Sequence, residues 1–139
     1  MYRKVPAYLT ATLCSLLLSI GDAESASNSK AAASNPKLET LLKSKLEGAE
    51  GIEVILSKVE IPPNSKLPKH WHPGEEFAYV LEGSVTLWQK GKVDIVVDRG
   101  DVAKVPLKQI HTAITGQDGV TLLVFRIHAE GKPERISAE

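Results

Sequence analysis

The chain has 139 residues, enough for one domain and little more. Its 17 basic residues cancel its 17 acidic ones, which leaves no electrostatic case for nucleic acid or an anionic membrane surface as a partner. A hydrophobic share of 42% excludes wholesale disorder, and a single cysteine, Cys14, excludes a disulfide framework.

Residues 1–23 have the layout of a secretory signal peptide. Arg3 and Lys4 precede the apolar run Leu9 to Ile20, and Gly21, Asp22 and Ala23 place small residues at the two positions read by a signal peptidase. The run is shorter than the ~20 apolar residues of a membrane span and is diluted by Thr10, Thr12, Ser15 and Ser19. Cys14 follows Leu13 inside that run, which does not suit a lipoprotein cleavage site. Cleavage after Ala23 is therefore expected, giving an exported protein, periplasmic or secreted, with no membrane attachment once the signal is removed. The mature chain would carry 15 basic and 16 acidic residues, because Arg3, Lys4 and Asp22 leave with the signal. It would have no thiol, which is compatible with an oxidising compartment.

Between Glu24 and Pro36 the residues are only Ser, Ala, Asn and Lys, with nothing apolar larger than alanine, and residues 24–36 read as a flexible leader. From Lys37 to Leu46 two readings stand: Leu38, Leu41, Leu42 and Leu46 fit a helical face, while Thr40 to Leu46 also fits an edge strand. Alternation then becomes clear. Ile52, Val54 and Leu56 fall on one face of a strand and Glu53, Ile55 and Ser57 on the other, with one side well buried. Pro62-Pro63-Asn64-Ser65 must turn, since consecutive prolines donate no ladder hydrogen bonds.

The stretch Leu67 to Gly83 carries the chemistry. His70 and His72 are two residues apart, so on an extended strand both side chains leave one face, about 6.6 Å apart along the backbone. Trp71 between them points the other way. Pro73-Gly74 breaks the strand, and Glu76 opens the run Phe77 to Leu81, which returns a carboxylate beside the imidazoles. Two imidazole nitrogens and a carboxylate oxygen are donors that divalent first-row metals accept. Parity with Glu76 sends Ala78 and Val80 toward the metal and Phe77, Tyr79 and Leu81 away. Glu75, one residue off, should face outward.

Beyond Gly83, Val85 to Gln89 and Val93 to Val97 read as strands joined by a hairpin at Lys90-Gly91. Arg99-Gly100-Asp101 matches a short adhesion motif, but turn chemistry explains these residues. From Val120 to His128, one strand face holds Leu122, Val124, Arg126 and His128. Arg126 reads either as an anion-binding side chain in a pocket or as a solvated strand-end arginine, and His128 reads as a surface residue. Residues 132–139 form a short charged tail.

Two spaced motifs, HxHxxxExxxxxxG over residues 70–83 and Gx5Px4H over residues 100–111, resemble the paired motifs of the cupin superfamily. The resemblance implies an all-β fold, a single double-stranded β-helix barrel of jelly-roll type over residues 37–131, and favours the strand reading of residues 37–46. It also implies that His70, His72, Glu76 and His111 bind one divalent transition metal ion (Fe, Mn, Ni, Zn or Cu). Three positions depart from the family pattern: Asn64 and Lys108 stand where glycines would fall, and Thr115 where an asparagine would. A ligand set of three histidines and one glutamate can leave open positions on a six-coordinate ion. Two functional classes follow. One is a metalloenzyme acting on a small molecule, with dioxygenase, decarboxylase, lyase or isomerase chemistry and Glu76 as catalytic base. The other is a module that binds or senses a sugar or organic acid without turnover. Small members of the family are often dimers, so a homodimer is the expected assembly.

Overall fold

A computed structural model describes residues 34–139. The expected signal peptide, residues 1–23, and residues 24–33 of the expected leader lie outside the described residues. The described residues contain eight strands and no helix.

The strands are β1 (Lys37–Lys45), β2 (Ile52–Ile61), β3 (His70–Trp71), β4 (Gly74–Gln89), β5 (Ile95–Asp98), β6 (Val102–Val105), β7 (His111–Ala129) and β8 (Ile136–Ser137). All pairings are antiparallel. Two long strands organise the sheet. The first half of β4 pairs with β6 and with the second half of β7, whose other edge pairs with β2; the second half of β4 pairs with β5 and with the first half of β7. One continuous sheet thereby folds over on itself into two walls, with β1 at one edge and β3 and β8 at another. Of residues 37–46, open to two readings in the sequence, Lys37–Lys45 form an exposed edge strand paired to β2.

Alternation places the core. Along β2 every second residue is buried, and paired residues share a face across an antiparallel ladder. Ile55, Val59 and Ile61 therefore join Val80, Leu122 and Val124 inside. Glu53 and Ser57 are buried with them, so the inward side of β2 is its more polar one. Parity holds on β4 as well: Val80 is inside, Tyr79 and Leu81 are exposed, and Ala78 lines the interior cavity. The strand expected over residues 93–97 starts later, at Ile95, and Val93 is exposed in the turn before it. The Arg99-Gly100-Asp101 segment is a turn, with the Asp101 N–H donating to the Asp98 carbonyl at 2.9 Å.

β4 bends where its pairing to β7 shifts register, at Gly83. Gly83 has φ +74°, and a Cβ there would lie 2.2 Å from the Gly119 carbonyl oxygen. Gly91 has a similar φ, +78°, with open space around it. Gly83→Ala is expected to cost about 3 kcal/mol or more, against about 1 kcal/mol for Gly91→Ala, because only the first adds a backbone clash to the conformational penalty. Urea midpoints of the two variants check this, and equal costs would mean that the β4–β7 crossing relaxes freely.

Candidate metal centre

The site begins with a register. His70 of β3 pairs directly with His111 of β7, so their imidazoles stand side by side on the inner face, with ring centroids 4.3 Å apart. His72 follows on the same face, 4.9 Å from the His70 ring and 5.1 Å from the His111 ring. One nitrogen from each lies within 4.8 Å of the others, and all three residues are buried. These are the three histidines singled out from the motif spacing.

Backbone carbonyls orient the rings. His70 Nδ1 donates to the Pro68 carbonyl at 2.8 Å, His111 Nδ1 to the Gln109 carbonyl at 2.9 Å, and His72 Nδ1 to the Glu134 carbonyl. A carbonyl only accepts, so each Nδ1 carries the proton and each Nε2 presents a lone pair. Metal-ligating histidines are held by partners of this type.

Glu76 stands beside them, with Oε2 3.0 Å from His72 Nε2 and Oε1 3.8 Å from His111 Nε2. The His72 Nε2 is buried without a hydrogen-bond partner. With its proton on Nδ1, this nitrogen and the carboxylate oxygen face each other as two acceptors in a water-poor interior. A cation between them resolves that repulsion, and three imidazole nitrogens with one carboxylate oxygen are suitable donors for a divalent transition metal. The residues present fit such an ion.

Burial pushes the His70 imidazole down to about 4, and it pushes His111 below its ordinary value too. Burial alone would raise the Glu76 carboxyl. The Arg126 guanidinium beside it instead holds it well below the usual carboxylate range.

Three expectations require correction. Arg126 is not a solvated strand-end side chain: it is 6% exposed, lines the same cavity, and its Nε donates to Glu76 Oε2 at 2.8 Å. His128 is not at the surface: it is 0% exposed, beneath Gly74 and opposite Glu53, with Nδ1 3.4 Å from Glu53 Oε1 and Nε2 donating to the Pro133 carbonyl at 3.2 Å. Strand parity already grouped both with Leu122 and Val124; the error lay in sending polar side chains outward. Finally, residues 132–139 do not trail away. Ile136–Ser137 pairs with β3, and the Ala138 N–H donates to the Lys69 carbonyl at 3.0 Å, which brings Glu134 onto His72. Nothing local in the sequence marks Glu134 for this role. Glu75 does face outward, paired with Lys104 at 2.7 Å.

The three departures from the family motifs also find their physical account. Asn64 and Lys108 adopt φ of +51° and +57°, the left-handed region that the expected glycines would occupy. Thr115 Oγ1 donates to the Pro62 carbonyl at 2.7 Å and accepts from the Ser65 N–H at 2.9 Å, so it ties down the Pro62–Ser65 turn.

A cupin domain model matches residues 57–126, half of the chain. The chain belongs to the cupin family. Among solved structures, a DMSP lyase from Ruegeria pomeroyi superposes with a TM-score of 0.62 at 19% identity, covering 75% of this chain and 52% of that one. A cupin-like protein from Thermotoga maritima gives 0.59 at 18% identity, covering 74% of this chain and 75% of the other. An RmlC-like cupin with a double-stranded β-helix fold from Methanocaldococcus jannaschii gives 0.58 at 16% identity, covering 72% and 85%. This cupin thus spans about half the length of the Ruegeria lyase, and at these identities the likeness is one of fold. No curated protein sequence matches it.

The depressed histidines set an acid limit on the metal-free fold. An unfolded histidine takes up its proton near pH 6.5, whereas folded His70 does so only near pH 4, so between these values the unfolded chain binds more protons. Stability should be complete above about pH 6.5 and fall steadily toward pH 4, with Glu76 adding a further loss below about pH 4.5. Thermal melts of chelator-treated protein across this range check the slope. A melting temperature that rises on acidification from pH 6.5 to 5 would contradict it.

Proposed function

We propose that this cupin is a metalloenzyme acting on a small molecule, with one divalent transition metal ion (Fe, Mn, Ni, Zn or Cu) held by His70, His72, Glu76 and His111. The observation that carries the reading is the common tautomer of the three histidines, each fixed by a backbone carbonyl on Nδ1, with Nε2 bare beside the Glu76 carboxylate. This cluster lines a cavity of about 520 Å³, the size of a small-molecule site. Bound there, the ion supplies Lewis-acid or redox chemistry at its open positions.

The chain's own residues divide the remaining work. Pro68, Gln109 and Glu134 hold the imidazoles through their carbonyls, and Arg126 holds Glu76 as an anion. The apolar walls exclude water from the interior end of the cavity. Glu76 acts as proton acceptor when substrate draws Arg126 away, since loss of the neighbouring cation raises its proton affinity. Lyase chemistry, named for the Ruegeria structure, stands with dioxygenase, decarboxylase and isomerase chemistry as a reaction type within this reading.

One observation favours the second reading, a binding module without turnover. In its present pairing Glu76 is a weak base, because a general base works best with a proton affinity near the operating pH. Glu76→Gln separates the two. The metal should raise the melting temperature of the chelator-treated protein by something on the order of 10 °C at a hundred times its dissociation constant. Glu76→Gln should keep much of that metal yet lose turnover by about 10²–10⁴-fold if the protein is an enzyme. In a binding module, metal and ligand affinity shift together and modestly. Glu75→Gln is the control and should change nothing; loss of metal there, with Glu76→Gln unaffected, would overturn the ligand set.

The Glu134 carbonyl gives a further expectation. Deleting residues 132–139 removes the partner of His72 Nδ1 together with the β8 edge of β3, and should weaken metal binding by about 10–100-fold. Metal titration of the shortened chain, with circular dichroism to confirm its strands, measures this; unchanged affinity would show that His72 needs no such support.

A further inference from the structure

Below the histidine cluster the cavity walls change character. Val59, Val80, Val85, Leu87, Val97 and Val124 line it, and among the described residues no Phe, Tyr or Trp does. This lining is also the hydrophobic core of the domain, so the barrel interior is a chamber rather than a filled core. Aliphatic walls of this kind offer neither stacking surfaces nor hydrogen bonds to a ring of hydroxyls. A sugar, one of the ligands expected from the sequence, would strand its polar groups there.

At the polar end two basic residues, Arg126 and Arg135, meet two acidic ones, Glu76 and Glu134, so the charge there is balanced before any metal and +2 with a divalent ion; Lys37, also in the lining, lies at the other end of β2, opposite Glu60. Arg126 is the residue that places an anion. It is buried, its Nε is taken by Glu76, and its NH1 nitrogen is buried without a hydrogen-bond partner, with Glu134 Oε2 3.6 Å away. A buried guanidinium nitrogen left without an acceptor is costly, and a ligand oxyanion removes that cost.

We infer that the ligand of this chamber is an aliphatic carboxylate, its head beside Arg126 and the metal position and its chain along the valine walls. The inference rests on the metal reading for what the head meets, and on the cavity walls and Arg126 alone for the ligand class. Binding requires no covalent step.

Calorimetric titration of the full chain tests it, using zinc-loaded and chelator-treated protein in parallel. The probes are the straight-chain acids from butanoate to decanoate and the 1-alkanols of equal length. Affinity should rise roughly fourfold per methylene until the chamber is filled, as expected for burial of one CH₂ at a time. Each acid should bind at least about tenfold tighter than its alkanol, because only the acid answers a buried cation. On the chelator-treated protein Arg126→Gln should erase the preference for acid over alkanol and keep the dependence on chain length. Val124→Phe should move the optimum to shorter chains and leave zinc affinity unchanged.

The failures are distinct. Zinc that does not bind, with acids still ranked by chain length on the metal-free protein, would overturn the metal centre and leave the ligand class standing. Zinc that binds, with affinity flat along the series or equal for acids and alkanols, would overturn the ligand class. The unmodified chain supplies both readings, so the inference is decided even if a variant fails to fold.

Discussion

The direct pairing of His70 with His111 is the contact from which the rest of the centre follows. Side chains at a directly opposed position of an antiparallel ladder share one face and stand close together, so a two-residue strand is long enough to join motifs 41 positions apart in the chain. His72 inherits its direction from the same strand, and Glu76 arrives on the next. A slip of one residue in this pairing would send the imidazoles to the outer surface. The register is protected from both sides: β8 closes the free edge of β3, and the Lys108 N–H reaches the His72 carbonyl from the bend before β7.

That bend and the Pro62–Ser65 turn show how the chain keeps a family geometry with different residues. Asn64 and Lys108 take the left-handed conformation despite their side chains. For Asn64 the penalty is small, since a short polar side chain tolerates that region; Lys108 has no such help and carries a cost of about 1 kcal/mol or more. A backbone strained beside a binding site is tolerated when surrounding contacts over-determine it, and here the Lys108 N–H and the Gln109 carbonyl both serve the histidines.

The interior joins two environments that usually exclude each other. Arg126 and Glu76 neutralise one another within a few ångströms of an aliphatic core, which makes their burial tolerable only as a pair. The pairing also links the metal position to the chamber, because the carboxylate that faces the histidines is held by the cation that faces the ligand space. Glu53, His128 and Lys43 form a second polar group at the same end of β2 and β7, with Glu53 Oε1 3.1 Å from Lys43 Nζ. This explains why the inward face of β2 is its polar one.

Local order in the sequence determined much of this cupin. Two-residue alternation marks the strands and their faces, proline and glycine mark the turns, and the HxH spacing with Glu76 and His111 names the residues that meet, because each of these follows from backbone geometry over a few positions. The carbonyls of Pro68 and Gln109 belong with them, each two residues before the histidine it holds. Only the tertiary structure decided the rest. Arg126 meets Glu76 across 50 residues and Glu134 meets His72 across 62, and neither spacing carries a period that a sequence displays. Whether a polar side chain on a strand face is solvated or buried depends on what closes over it. For Arg126 and His128 the cover is another strand and a folded-back terminus, and contacts at that range are set by the pairing of the whole sheet.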